Sequence, residues 1–188
     1  MILRGGTTNT INYQEFVQRA EKGEILIGTE PAVARKLFTD TDRLAIKEKL
    51  GESLFIERFF VKMAWLLEFI SLLGGIIASI FALKWYSIIA IPVMLIAFFV
   101  LGGKASIGRQ KMGGALFLVV ICALLAYEFR DKGAVMTAWL VLLPLPYFFA
   151  RLTYKLATVF LRSLSVRNER AFNLLYGHGI FLKETKKS

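Results

Sequence analysis

Glu68 is the only charged residue in the apolar stretch 63–83. It lies five residues inside that stretch, about 8 Å from its start at 1.5 Å per helical residue. A lone carboxylate in hydrocarbon costs about 2.5–3.5 kcal/mol at the centre of a span and less towards its edge. It must therefore pair, take a proton or reach water. Arg109, Lys111, Arg151 and Lys155 are its candidate partners. An intramembrane ionisable group of this kind can serve as an ion or proton site. A structural ion pair needs less, and that reading carries more weight.

Other residues carry geometry rather than reactivity. Gly74 and Ala78 are four apart, as are Gly75 and Ser79, which gives two overlapping pairs of small side chains on one helix. Such pairs let helix backbones approach closely, either within one chain or across an oligomer interface. Pro144 and Pro146 each remove a backbone donor, so a kink or break is expected there. Beyond it, Arg151, Lys155 and Arg162 share one helical face beside Leu152, Leu156, Val159 and Phe160. A basic amphipathic helix of this type suits anionic lipid headgroups or a cytoplasmic partner.

The remaining candidates are weak. His178 stands between two glycines with no Cys or acid pair beside it, which fits a loop histidine better than a metal ligand or a general base. Cys122, the single cysteine, sits in an apolar run as a small buried side chain and leaves no internal disulfide. The sequence contains no P-loop, dinucleotide fingerprint, His-Glu-x-x-His or Gly-x-Ser-x-Gly. We therefore expect no catalytic residue, no cofactor and no metal, and a protein that is not an enzyme.

The elements that hold these residues are mostly apolar. The chain has 188 residues, of which 56% are hydrophobic, against about 45–50% in ordinary soluble domains. Four runs stand out, at 63–83, 85–103, 112–127 and 134–150. The first would be about 31 Å long as a helix, one bilayer core. Lys84, with Trp85 and Tyr86, separates the first two runs, and Glu128 to Gly133 separates the last two. Gly133 suits the positive-φ backbone of a helix end.

Charge gives these runs a direction. The formal net charge is +10. The loop at 104–111 carries Lys104, Arg109 and Lys111 with no acid, and the segment after Ala150 carries eight Lys/Arg against two Glu. Basic residues collect on cytoplasmic loops. Both termini are accordingly expected on the cytoplasmic side, with Trp85, Tyr86 and Tyr127 near the outer interface. No apolar signal region precedes the first run, so that run is expected to direct insertion itself.

Residues 1–62 mix ten Lys/Arg with nine Asp/Glu. Asn12 with Glu15 reads as a capping box opening a helix that ends at Gly23. Ile25 to Ile27 forms a strand or buried turn. Pro31 opens a helix to Phe38, and a further helix runs from about Thr39–Asp42 to Gly51. A last helix starts near Ser53 and continues into the first apolar run. This segment lacks the apolar content of a large core, so packing on the membrane part or on a partner is expected.

The expected fold is all-α: a four-helix membrane bundle (63–150), a helical cytoplasmic segment (1–62), and a basic helix with tail (151–188). The expected function is a non-catalytic subunit that anchors or scaffolds a larger assembly in a bacterial inner membrane. The alternative is a small oligomeric channel or transporter with Glu68 in its pathway. Expected partners are membrane lipids and other subunits, in a homo- or hetero-oligomer, without nucleic acid.

Overall fold

The computed structural model describes residues 2–3, 12–106, 112–176 and 179–184. Arg109, Lys111 and His178 lie outside the described residues. The chain is mostly helical, and it also holds a small sheet absent from the all-α expectation. It divides into two compact units, residues 1–61 with 155–188, and residues 62–154.

The first unit is built from both ends of the chain. Strand β1 (Ile2–Leu3) is followed by α1 (Tyr13–Glu21), β2 (Ile25–Thr29), α2 (Pro31–Thr39) and α3 (Arg43–Leu50). Asn12 caps α1 by accepting a hydrogen bond from Gln14 N at 3.4 Å. Glu15 bonds sideways to Arg19, at 3.7 Å. Pro31 opens α2, and Gly51 ends α3 at φ 74°, a conformation that suits glycine.

From the other end come the later part of α8 (Leu145–Arg167), α9 (Glu169–Leu175) and β3 (Ile180–Glu184). The sheet order is β1-β3-β2, with both pairings antiparallel. Ile27 faces Leu182 and Thr29 faces Ile180, while Leu3 pairs with Leu182 on the other side. Ile180 and Leu182, two apart, both point into the core, as a strand period of two requires.

The shared core explains why residues 1–62 look poor in apolar content. Eight of its sixteen buried side chains come from Phe16 to Val61, and the other eight from Ala157 to Leu182. Phe16 stacks on Phe172 with ring centroids 4.3 Å apart, and Tyr13 donates its hydroxyl to the Val166 carbonyl. Arg167 bridges Glu57 at 2.6 Å and Glu52 at 3.1 Å. Asn168 donates to the Leu50 carbonyl and caps α9 through Ala171 N. The segments 1–62 and 151–188, expected as separate, thus share one hydrophobic core. Of the apolar face expected on the basic helix, Leu156 and Phe160 pack against this core while Val159 stays exposed, and the side chains that enter the core are Ala157, Leu161 and Leu164.

The second unit contains most of α4 (Phe55–Leu83), then α5 (Ser87–Ser106), α6 (Met112–Glu128), α7 (Ala134–Leu142) and the start of α8. A 3-10 turn at Lys84–Tyr86, with Lys84 at φ 49°, joins α4 to α5. A side chain added at Gly75 would meet Met94 Sδ at 3.6 Å, so α5 folds back along α4 as a helical hairpin. The turn Arg130–Lys132 and Gly133, at φ 111°, reverse the chain again, and α6 packs along α7. Leu143 and Pro144 interrupt the path from α7 to α8, because Pro144 and Pro146 have no N–H to give.

Two helical stretches, Phe55–Val100 and Ala134–Arg167, are long and apolar enough to cross a membrane by length and composition, and Met112–Glu128 is a shorter apolar helix. The first stretch contains the hairpin and so holds α4, of 29 residues, and the part of α5 up to Val100.

Two outcomes test the shared core. Phe172→Ala removes a ring buried on α1 and should cost about 3–5 kcal/mol; heat denaturation of the purified protein reads it, together with earlier proteolysis of residues 12–50. Burial, and then the nearby Glu169 carboxylate, raise the Tyr13 pKa above its ordinary value. Because the folded value exceeds the unfolded one, Tyr13 contributes its full stability below the unfolded pKa. That contribution is lost as pH rises through the folded value. Alkaline titration of stability should therefore show a loss in this range that is smaller in Tyr13→Phe.

Candidate functional site

The candidate site is the interior of the second unit, and α4 shows how the sequence builds it. Ala64, Glu68, Ser71, Gly75, Ala78 and Ser79 are buried. Between them Met63, Leu66, Ile70, Leu73, Ile77 and Phe81 are exposed. The helix thus turns its small and polar residues inward and its large apolar ones outward. A water-soluble helix does the reverse, since burying large apolar side chains is what stabilises it. Only 28% of each of the two apolar windows is buried, which is far from the burial of a soluble core helix.

The small residues sit against neighbours in the same chain. A side chain added at Gly74 would contact Leu142 Cδ1 at 3.5 Å, and one at Gly75 would meet Met94. Both are ordinary contact distances. Glycine here admits α7 and α5 to van der Waals range of the α4 backbone. Ser79, 1% exposed, donates to the Gly75 carbonyl at 2.7 Å and accepts from Trp139 Nε1 at 2.7 Å. Ser71 donates to the carbonyls of Leu67 and Glu68. Each serine is thereby satisfied without water, as a hydroxyl in an apolar medium must be.

The charged candidates divide into three groups. Glu68 lies on the inward face of α4 at 9% exposure, and Arg151 is equally buried on α8. The Arg151 guanidinium lies 4.9 Å from the centre of the Tyr147 ring. Neither Glu68 nor Arg151 lacks a partner. Lys155 and Arg162 are exposed. Arg162 borders a shallow groove with Glu21 and Leu26. Glu128 and Asp131 are exposed at the α6–α7 turn, where Arg130 lies over Tyr127 at 4.6 Å. Among the described residues no three His, Cys, Asp or Glu side chains gather as a metal site needs.

A cavity of about 340 Å³ lies among these helices. Ser79 and Trp139 wall one part of it, Tyr147 and Pro146 another, and Ala90, Val93 and Ala97 line it along α5. Sequence reading does not find this cavity, because its wall is apolar and looks like any packed interior. Trp139 is also missed, although Ser79 gives the clue: a serine inside an apolar helix needs an acceptor or a donor, and a tryptophan N–H on a facing helix is one.

Removing the Ser79–Trp139 bond should have a modest effect. A double-mutant cycle of Ser79→Ala with Trp139→Phe is expected to give a coupling of about 0.6 kcal/mol and no more than about 1.7, the range found for hydrogen bonds between membrane helices. Unfolding of the detergent-solubilised protein measures it, and a coupling of zero would mean that the bond adds nothing to stability. Neither a family model, nor a curated protein, nor a solved structure matches this chain.

Proposed function

We propose that this protein is a non-catalytic multi-pass membrane subunit that crosses a bacterial inner membrane four times and anchors a folded cytoplasmic unit there. The observation that carries the reading is the inverted surface of α4, with large apolar side chains outside and polar ones inside. Lipid is the solvent in which that arrangement is stable.

The sheet supports an even number of crossings. Strand β2 precedes every apolar helix and β3 follows them all, yet the two are hydrogen-bonded neighbours. Segments that pair directly lie on one side of a bilayer. The hairpin at Lys84–Tyr86 favours four crossings over two, with Trp85 and Tyr86 exposed at 84% and 77% as interfacial anchors. Lys104, Arg109 and Lys111 put the paired ends on the cytoplasmic side by the positive-inside rule. The turns at Lys84 and Arg130–Lys132 then face outward. The assembly role rests on two features together: a soluble unit with its own core, and a membrane part whose sequence-identified polar groups mark out no reaction centre. Glu68 is a structural group in this reading.

Single cysteines placed in a Cys122→Ser background at residues 21, 84 and 131 test the topology in intact inverted and right-side-out vesicles. A membrane-impermeant thiol reagent should reach 84 and 131 from outside and 21 only from inside. Labelling of 21 and 84 from the same side would end the four-crossing reading. Extraction in mild detergent should yield a particle heavier than one chain. A strict monomer without co-purifying protein, or an ion flux in liposomes that Glu68→Gln abolishes, would count against the anchoring role.

A further inference from the structure

The cavity in the second unit is elongated along its helices. On α4 it extends from Leu72 to Ser79, on α5 from Ala90 to Phe98, and on α7–α8 from Trp139 to Tyr147. These intervals are seven, eight and eight residues, each about 10–12 Å at 1.5 Å per residue. Residues of α4, α5 and α7–α8, with Leu118 of α6, thus line one slot that runs along the helices rather than across them.

Its wall offers almost nothing polar. Ser79 Oγ is committed to the Gly75 carbonyl and to Trp139 Nε1. That pair closes on itself and leaves an apolar lining, which suits neither an ion nor a sugar. The slot also opens sideways. Val93 lines it and is nevertheless 59% exposed, and Ala97 is exposed beside it. The mouth therefore belongs to the outward apolar surface.

We infer that this slot holds a segment of one acyl chain of a membrane phospholipid, entering from the bilayer between Val93 and Ala97 and lying along Trp139. The inference rests on the membrane reading above. A bilayer chain matches the slot in direction, in polarity and in route of access. It fills space that the four helices leave between them and makes lipid part of the packed unit.

Trp139 gives the test. Full-length protein with Trp65→Phe and Trp85→Phe keeps Trp139 as its only tryptophan, and Trp65→Phe with Trp139→Phe keeps Trp85. Each is reconstituted in phosphatidylethanolamine–phosphatidylglycerol vesicles whose acyl chains carry bromine, either near the carbonyl or lower in the chain. Trp139 should lose most of its emission to lower-chain bromine. Ala90→Phe, which fills the slot, should restore most of it, and Ala97→Phe, which blocks the mouth, replaces Ala90→Phe if that variant loses its helical circular dichroism. Quenching of Trp139 that neither variant relieves would overturn the inference, since it would come from lipid around the outside. An unquenched Trp139 beside a Trp85 quenched by carbonyl-end bromine would overturn it too. If neither tryptophan is quenched, the membrane reading itself falls.

Discussion

The rest of the structure depends on β3 lying between β1 and β2. Three short strands place residues 2–3, 25–29 and 180–184 side by side. That pairing brings α9 against α1 and closes a core that neither end could build alone. It also restricts everything between the ends. Whatever path the chain takes from Phe55 to Arg167, it must return to where it began. Helical hairpins meet that requirement, and the turns at Lys84–Tyr86 and Arg130–Lys132 supply them.

The two units are stabilised by opposite rules. In the first, large side chains such as Phe16, Phe38 and Phe172 are inside and charge is outside, with Arg167 holding Glu52 and Glu57. In the second, the large side chains of α4 are outside, and glycine, alanine and serine are inside. Burial of apolar area can drive the first in water. If the second unit lies in lipid, as proposed, burial of apolar area cannot drive it there, and close backbone approach and satisfied polar groups must do so instead. Gly74 against Leu142 and Ser79 against Trp139 are the two kinds of contact that such a unit relies on.

Local signals were legible in the sequence where one residue type has one physical use. Asn12, Pro31, Gly51 and Gly133 mark helix ends because caps, fixed φ and positive φ each select a few residues. The apolar runs mark α4 to α7 with their turns for the same reason, and the proline pair marks the break before α8. Long-range pairing was not legible. Ile25–Ile27 and Ile180–Leu182 are short apolar runs with no register written in either. The amphipathy of the basic helix allows lipid headgroups or a partner, because it does not say which apolar surface the helix meets. Arg151, Lys155 and Arg162 could be named from sequence, but only the structure separates buried Arg151 from the other two. Cavity and tryptophan went unseen because empty space leaves no mark on composition.

The position of β3 late in the chain has a consequence for biogenesis. The early helices α1 to α3 are synthesised with half of their core missing, and they wait while α4 to α8 are made. β3 can complete that core only if it emerges on the side where β2 is waiting. On the proposed four-crossing topology, a chain inserted with one helix too few or too many would deliver β3 to the opposite side and leave the first unit open. On that topology, completion of the sheet would act as a proofreading step, in which folding of the first unit reports correct insertion of the helices.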